Sequence, residues 1–240
     1  MFGNMTTEGL EESGDRLGGG GVLESGPQDG VIKVAYVGKS ASSDAQSITT
    51  IIDMNGFEYR ETFWITNRKG ENFYTDKQDA TKKHGLPGFV MVDNMCQLAT
   101  GHGLAAQETE EKTVNIYDFE AKKELPKNVQ VLTGLIGKPI TAGVKKVVVD
   151  KTKKDGNGVY QPTGETRDTN EIDKFFHAET KRTVTEYKQG IEEAQFYPKW
   201  VEKNEGKTVN KAKGAEGKSG APGSAPQGGS EKPQTSLFDK

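Results

Sequence analysis

Asn55 and Gly56 sit between two runs rich in β-branched and aromatic residues, "QSITTIIDM" (46–54) and "FEYRETFWITNR" (57–68). An Asn-Gly pair in that setting is a strong signal for a two-residue hairpin, because both central residues of such a turn need positive φ. It commits residues 46–68 to an antiparallel pair and sets which side chains share a face. Upstream, "VIKVAYVGKSAS" (31–42) reads as another strand. Three consecutive antiparallel strands make a meander.

After a long polar loop, "FVMVDNMCQLAT" (89–100) puts Met91, Met95 and Leu98 on one side of a helix, stopped by "GHG". "TVNIYDFEA" (113–121) and "NVQVLT" (128–133) are short strand-like pieces, and "KPITAGVKKVVVDK" (138–151) is a long strand. Residues 152–181 read as an extended polar excursion, "RTVTEYKQG" (182–190) as a strand, and 194–204 as a short helix or extended clasp. Three strands, a helix and two more long strands is the order of the OB-fold. The expected fold is all-β with a minor helix, a five-stranded Greek-key OB-fold barrel; another small antiparallel barrel satisfies nearly the same order. The excursion then joins the last two strands, and that loop and the one after the first strand are those this fold uses on oligonucleotides.

The two ends differ from this middle. Residues 1–29 contain "GDRLGGGG", and residues 206–230 are almost wholly Gly, Ser, Ala, Pro, Gln and Lys. Neither offers enough apolar surface to offset chain entropy. The expected organisation is a flexible acidic leader (1–29), a folded domain (30–205), a disordered linker (206–233) and a terminal peptide (234–240). Charge follows the same division. Six acids against Arg16 give the leader −5, and six lysines against three acids give residues 206–240 +3. The total is −3, which leaves −1 for the folded part. Binding to a polyanion must then rest on local basic patches.

Alternation divides the third strand into two faces. Phe57, Tyr59, Glu61, Phe63 and Ile65 share the mostly apolar one, which should face the core. Glu58, Arg60, Thr62, Trp64, Thr66 and Arg68 share the other, where one indole lies between two arginines. Single-stranded nucleic acid is held in this way: bases stack on rings while cations track phosphates, with no base preference required. The competing reading packs Trp64 under a loop and pairs the arginines with nearby acids. Other segments interleave basic and aromatic residues similarly. The candidate set adds Lys33, Tyr36, Lys39, Phe73, Tyr74, Lys145, Lys146, Lys151, Lys153, Lys154, Tyr160 and Arg167. Phe175 and Phe176 anchor the excursion to the barrel or stack.

Several chemistries lack their residues. Cys96 is the single cysteine, so there is no disulfide framework, and the three histidines stand in no zinc-ligand spacing. "GLIGKP" lacks the earlier glycine and the following Ser/Thr of a phosphate loop, and "KKDGNG" lacks the alternating acids of a calcium loop. No nucleophile motif stands out. The expectation is a non-catalytic protein with no cofactor and no metal. No apolar run has the length of a membrane span, and "MFGNMTTEGLEESGD" is unlike a signal peptide, so a soluble intracellular protein is expected.

"VAYVGKSASSDAQSITTIIDMNGFEYRETFWITNRKGENFY", "NIYDFEAKKELP" and "PTGETRDTNEIDKFFHAET" together resemble single-stranded DNA-binding proteins of tailed bacteriophages, over roughly residues 10–205 with the leader included. The resemblance implies an OB-fold that coats single strands during replication, recombination and repair in the cytoplasm of an infected bacterium. It does not say which side chains stack. "QTSLF" (234–238) resembles the bacterial sliding-clamp-binding pentapeptide Gln-Leu-Ser/Asp-Leu-Phe. Gln234, Ser236, Leu237 and Phe238 match, and Thr235 stands where Leu is usual. The match implies a partner, a clamp or other replisome protein, with Leu237 and Phe238 filling a pocket and the Gly/Pro/Ser linker as tether. The alternative is a protein-interaction scaffold of the replication machinery that holds no nucleic acid, favoured by the core charge near −1.

Overall fold

The computed structural model describes residues 21–118, 121–156 and 159–213. They form two compact units. Of these residues, one unit contains those from 21 to Val148 and Asp168–Asn210; the other contains those within Val149–Arg167 and 211–213.

The first unit is mostly β. Strands β1 (Gly26–Lys39), β2 (Gln46–Met54) and β3 (Phe57–Trp64) form the expected meander. Asn55 (φ 55°) and Gly56 (φ 87°) make the turn that their sequence demands. A short hairpin, β4 (Phe73–Thr75) and β5 (Lys83–Gly85), precedes helix α1 (Pro87–Thr100). Pro87 opens that helix where its missing N–H costs nothing, and left-handed Gly101 closes it by donating to the Gln97 carbonyl. Strands β6 (Thr109–Asp118) and β7 (Lys123–Leu132) pair over ten rungs as a ribbon that meets β1 where Val131 lies opposite Tyr36. Strand β8 (Pro139–Lys154) runs antiparallel to β1 and pairs with β9 (Tyr160–Phe176). Helices α2 (Val184–Lys188) and α3 (Phe196–Asn204) follow, then β10 (Thr208–Asn210), parallel to β8.

The core lies between the inner sheet face and α1. Ile32, Ile48, Ile52, Phe63, Ile140, Val144 and Phe175 from the strands meet Val92, Met95, Cys96 and Leu98 from the helix. A second aromatic group lies beneath α3: Phe176 contacts Phe196, Tyr197 and Trp200 edge-on or tilted. The backbone ladders run β10-β8-β1-β2-β3 with β9 on β8, and they do not close between β3 and β9. Polar links bridge that gap: Tyr59 Oη donates to the Asn170 carbonyl, and the Ile172 N–H donates to the Glu61 carboxylate, both at 2.9 Å. Phe175 and Phe176 are both buried, as anchors.

Several sequence-based expectations are corrected. Residues 182–190 are not a strand. Thr183 and Glu186 form a capping box that starts α2, and this local bonding overrides the β-branched content of "RTVT". The excursion 152–181 is not an open loop, because β8 continues to Lys154 and β9 occupies most of the remainder. The outer half of β9 is exposed on both faces, so no apolar alternation announced it. Arg68 is not on β3, which ends at Trp64; it lies in the turn closed by the Asn67 N–H to Glu71 carbonyl bond. Strands β1 and β10 extend the folded part into spans assigned to leader and linker. Gln234, Ser236, Leu237 and Phe238 lie outside the described residues.

Candidate nucleic-acid interface

The burial of β3 alternates along its length, with Glu58, Arg60, Thr62 and Trp64 outward and Phe63 buried. Trp64 is 51 % exposed despite its size. Its backbone is fixed from behind by α1, since a side-chain carbon on Gly88 would meet the Trp64 carbonyl oxygen at 2.2 Å. The indole is thus an exposed ring on an immobilised stem. Cross-strand register sets its neighbours. Trp64 pairs with Ser47, and Ser47 with Gly38. Paired residues share a face, so the rung beside the indole carries nothing larger than a hydroxymethyl group. A side chain at position 38 would meet Ser47 Oγ at 2.6 Å, and Ser47 is itself buried, so this rung is small and closely packed. The next rung, Thr62–Thr49–Tyr36, is tied by a 2.8 Å bond between the two threonine hydroxyls.

Other cations and rings reach this end of the sheet. The Asp44 N–H donates to the Arg68 carbonyl, and the Gln46 N–H to Thr66 Oγ1, which draws the post-β3 turn onto the β1–β2 turn. Lys39 is opposite Gln46 at the same end. Among the described residues, no ion pair engages Lys39 or Arg68. On the β4–β5 hairpin, Tyr74 is half exposed and tilted against His84, and Lys83 Nζ lies 4.1 Å over the Phe73 ring. Asp76 holds the hairpin's loop: it accepts the Gln78 and Asp79 N–H groups and lies 3.0 Å from His84 Nε2. Those bonds, the Gln78 N–H first, hold its carboxyl below the usual range.

The remaining candidates divide. Tyr36 is 7 % exposed, so it belongs to the buried set and offers no ring to a base. Lys33 pairs with Glu58, and Arg60 reaches Glu124 on β7 at 3.3 Å. Lys145 bonds Asp173 at 2.6 Å, and Lys146 pairs with Glu24 and Asp168. Asp173 also accepts Trp200 Nε1–H; burial raises its carboxyl, and these two donors more than offset that, so its pKa is lowered. These four cations are already matched by acids, although exposed pairs of this kind contribute little and exchange readily. In the second unit, Tyr160 is 60 % exposed with Lys154 Nζ 5.3 Å from its ring, and Lys151 pairs with Glu165. Lys153 and Arg167 are exposed there.

Three features around the candidate residues escaped the sequence reading: the Gly38–Ser47 contact, Gly88 behind Trp64, and Lys83 over Phe73. A glycine inside a strand marks close approach of another group, and "YVGK" carried that signal. Among the described residues, no helix is long and apolar enough to cross a membrane, and no group of three or more His, Cys, Asp and Glu could hold a metal ion. No known protein family, curated protein or solved structure matches this chain.

Proposed function

We propose that the chain binds and protects single-stranded DNA in a sequence-tolerant way during phage replication and recombination, without catalysis, in the infected bacterial cell. The observation that carries this reading is Trp64 itself: a half-exposed indole on an immobilised strand end, with Lys39 and Arg68 at the same end of the sheet. A base stacks on the indole, and the strand's phosphates pass the same end of the sheet, within reach of the Arg68 and Lys39 side chains. Tyr74, Phe73 and, in the second unit, Tyr160 with Lys153, Lys154 and Arg167 offer the same pairing of ring and cation. An OB-type Greek-key barrel of β1, β2, β3, β8 and β9 is the architecture that best accounts for the strand order. Support comes from β1 lying between β2 and β8, from the β3–β9 side-chain bridges, and from α1 falling between β3 and β8 in the chain. The terminal "QTSLF" would dock on a clamp or other replication protein.

The scaffold reading draws support from the acids that match Lys33, Arg60, Lys145 and Lys146. A mobility shift with single- and double-stranded oligonucleotides at two ionic strengths separates the two. The expected result is a complex with the single strand that weakens as salt rises, because phosphate contacts release counterions. Trp64→Ala should weaken it by about 1–3 kcal/mol, the worth of one stacked base, with thermal stability retained. No shift with the single strand favours the scaffold.

A further inference from the structure

On the proposed binding of single strands, which this inference rests on, we infer that the cleft between the end of β9 and helices α2 and α3 is a second nucleotide subsite, with Phe196 as its stacking ring. The cleft has a volume of about 360 Å³. Phe196 is 42 % exposed at its wall, although its neighbours Phe176 and Trp200 are buried. Phe176 backs it at 6.3 Å between centroids, which fixes the ring's position. Lys174 Nζ lies 5.3 Å from the Phe196 ring, and Lys199 lines the same cleft. Among the described residues, no close ion pair engages either lysine, although Lys174 acts on Asp173 at longer range. Nor does any hydrogen bond engage the side-chain amides of Gln189 and Gln195, which also line it.

The chemistry these groups share is that of one nucleotide. The ring takes a base, the two ammonium groups take the phosphate, and two amides, each with donor and acceptor, can meet any base edge. The one carboxylate in the wall, Glu186, does not spoil this. Both its oxygens are occupied, by the Thr183, Gln195 and Phe196 N–H groups and the Thr183 hydroxyl. An anionic peptide would use the lysines but leave an exposed phenyl ring and free amides idle, so a strand nucleotide is the better occupant.

The test is ultraviolet crosslinking of the full chain to long oligo(dT), with crosslinked peptides mapped by mass spectrometry, beside affinity measurements on two variants. Crosslinks are expected at both the Trp64 and the Phe196 peptides. Phe196→Leu should weaken binding about 5- to 150-fold. Lys199→Gln, an exposed change that leaves the aromatic packing intact, should lower the salt dependence by about one phosphate contact. Crosslinks at Trp64 alone, with both variants binding as wild type, overturn the subsite and leave the proposed function standing. No crosslink and no binding to oligo(dT) remove both.

Discussion

Gly88→Val is expected to destabilise the protein by about 3 kcal/mol or more, and to weaken single-strand binding with it. The first turn of α1 passes so close to Trp64 that a side-chain carbon at position 88 would lie 2.2 Å from the Trp64 carbonyl oxygen and 3.1 Å from its amide nitrogen. Both are backbone atoms in a paired strand, so neither can rotate away. The helix must lift from β3, and Val92 and Met95, now 0 % exposed, lose part of their packing. Chemical denaturation reads the first effect as a lower midpoint with an unchanged slope. Oligonucleotide affinity at a temperature where the variant is still folded reads the second. A variant with an unchanged midpoint would mean that α1 does not hold the indole's stem.

Glu186→Ala is expected to cost about 3–5 kcal/mol, since its loss strands the buried Thr183 donors and the partly buried Gln195 and Phe196 N–H groups at once. Glu186 is 5 % exposed and caps two helices. It closes the Thr183 box of α2 and accepts the Gln195 and Phe196 N–H groups at the start of α3, at 2.7 and 2.8 Å. Burial pushes its carboxyl up; the N–H donors of Thr183, Phe196 and Gln195 and the Thr183 hydroxyl more than offset that, and the pKa is lowered below 4.5. A folded-state pKa below the unfolded one means that the stabilisation is fully present above about pH 4.5 and is lost as pH falls through the lowered value. The wild type should therefore lose stability below that pH more steeply than Glu186→Ala, whose deficit is largest near neutrality. Thermal unfolding of both proteins from pH 7 down to pH 3 reads this. Parallel curves would exclude the double-cap role.

What the sequence disclosed is what burial and local geometry write into residue type. The Asn55–Gly56 turn needs positive φ at both positions and has it. The alternation of β3 follows from one face being buried, so its sequence shows Trp64 outward and Phe63 inward. The helix at 87–100 and the long strand from 139 came from the same kind of pattern. The outer part of β9 buries neither face, so only backbone pairing defines it and composition looked like a loop. At "RTVTE", β-branched residues suggest a strand while the Thr183–Glu186 spacing spells a capping box, and the box prevails. The burial of Tyr36 and the small residues beside Trp64 share one cause. The β6–β7 ribbon joins β1 at the Tyr36 rung, and Gly38 and Ser47 occupy the Trp64 rung. Register between distant segments settles both, and no window of sequence contains it.

Tryptophan fluorescence tests the stacking claim most directly, because the chain has two tryptophans and only one is accessible. Trp64 is 51 % exposed, and Trp200 is 4 % exposed with its indole N–H donating to Asp173. Titration with oligo(dT) should quench part of the emission of the wild type, and the Trp64→Phe variant, which keeps only Trp200, should show no quench. An unquenched wild type, or equal quenching in the variant, would contradict a binding face built on Trp64.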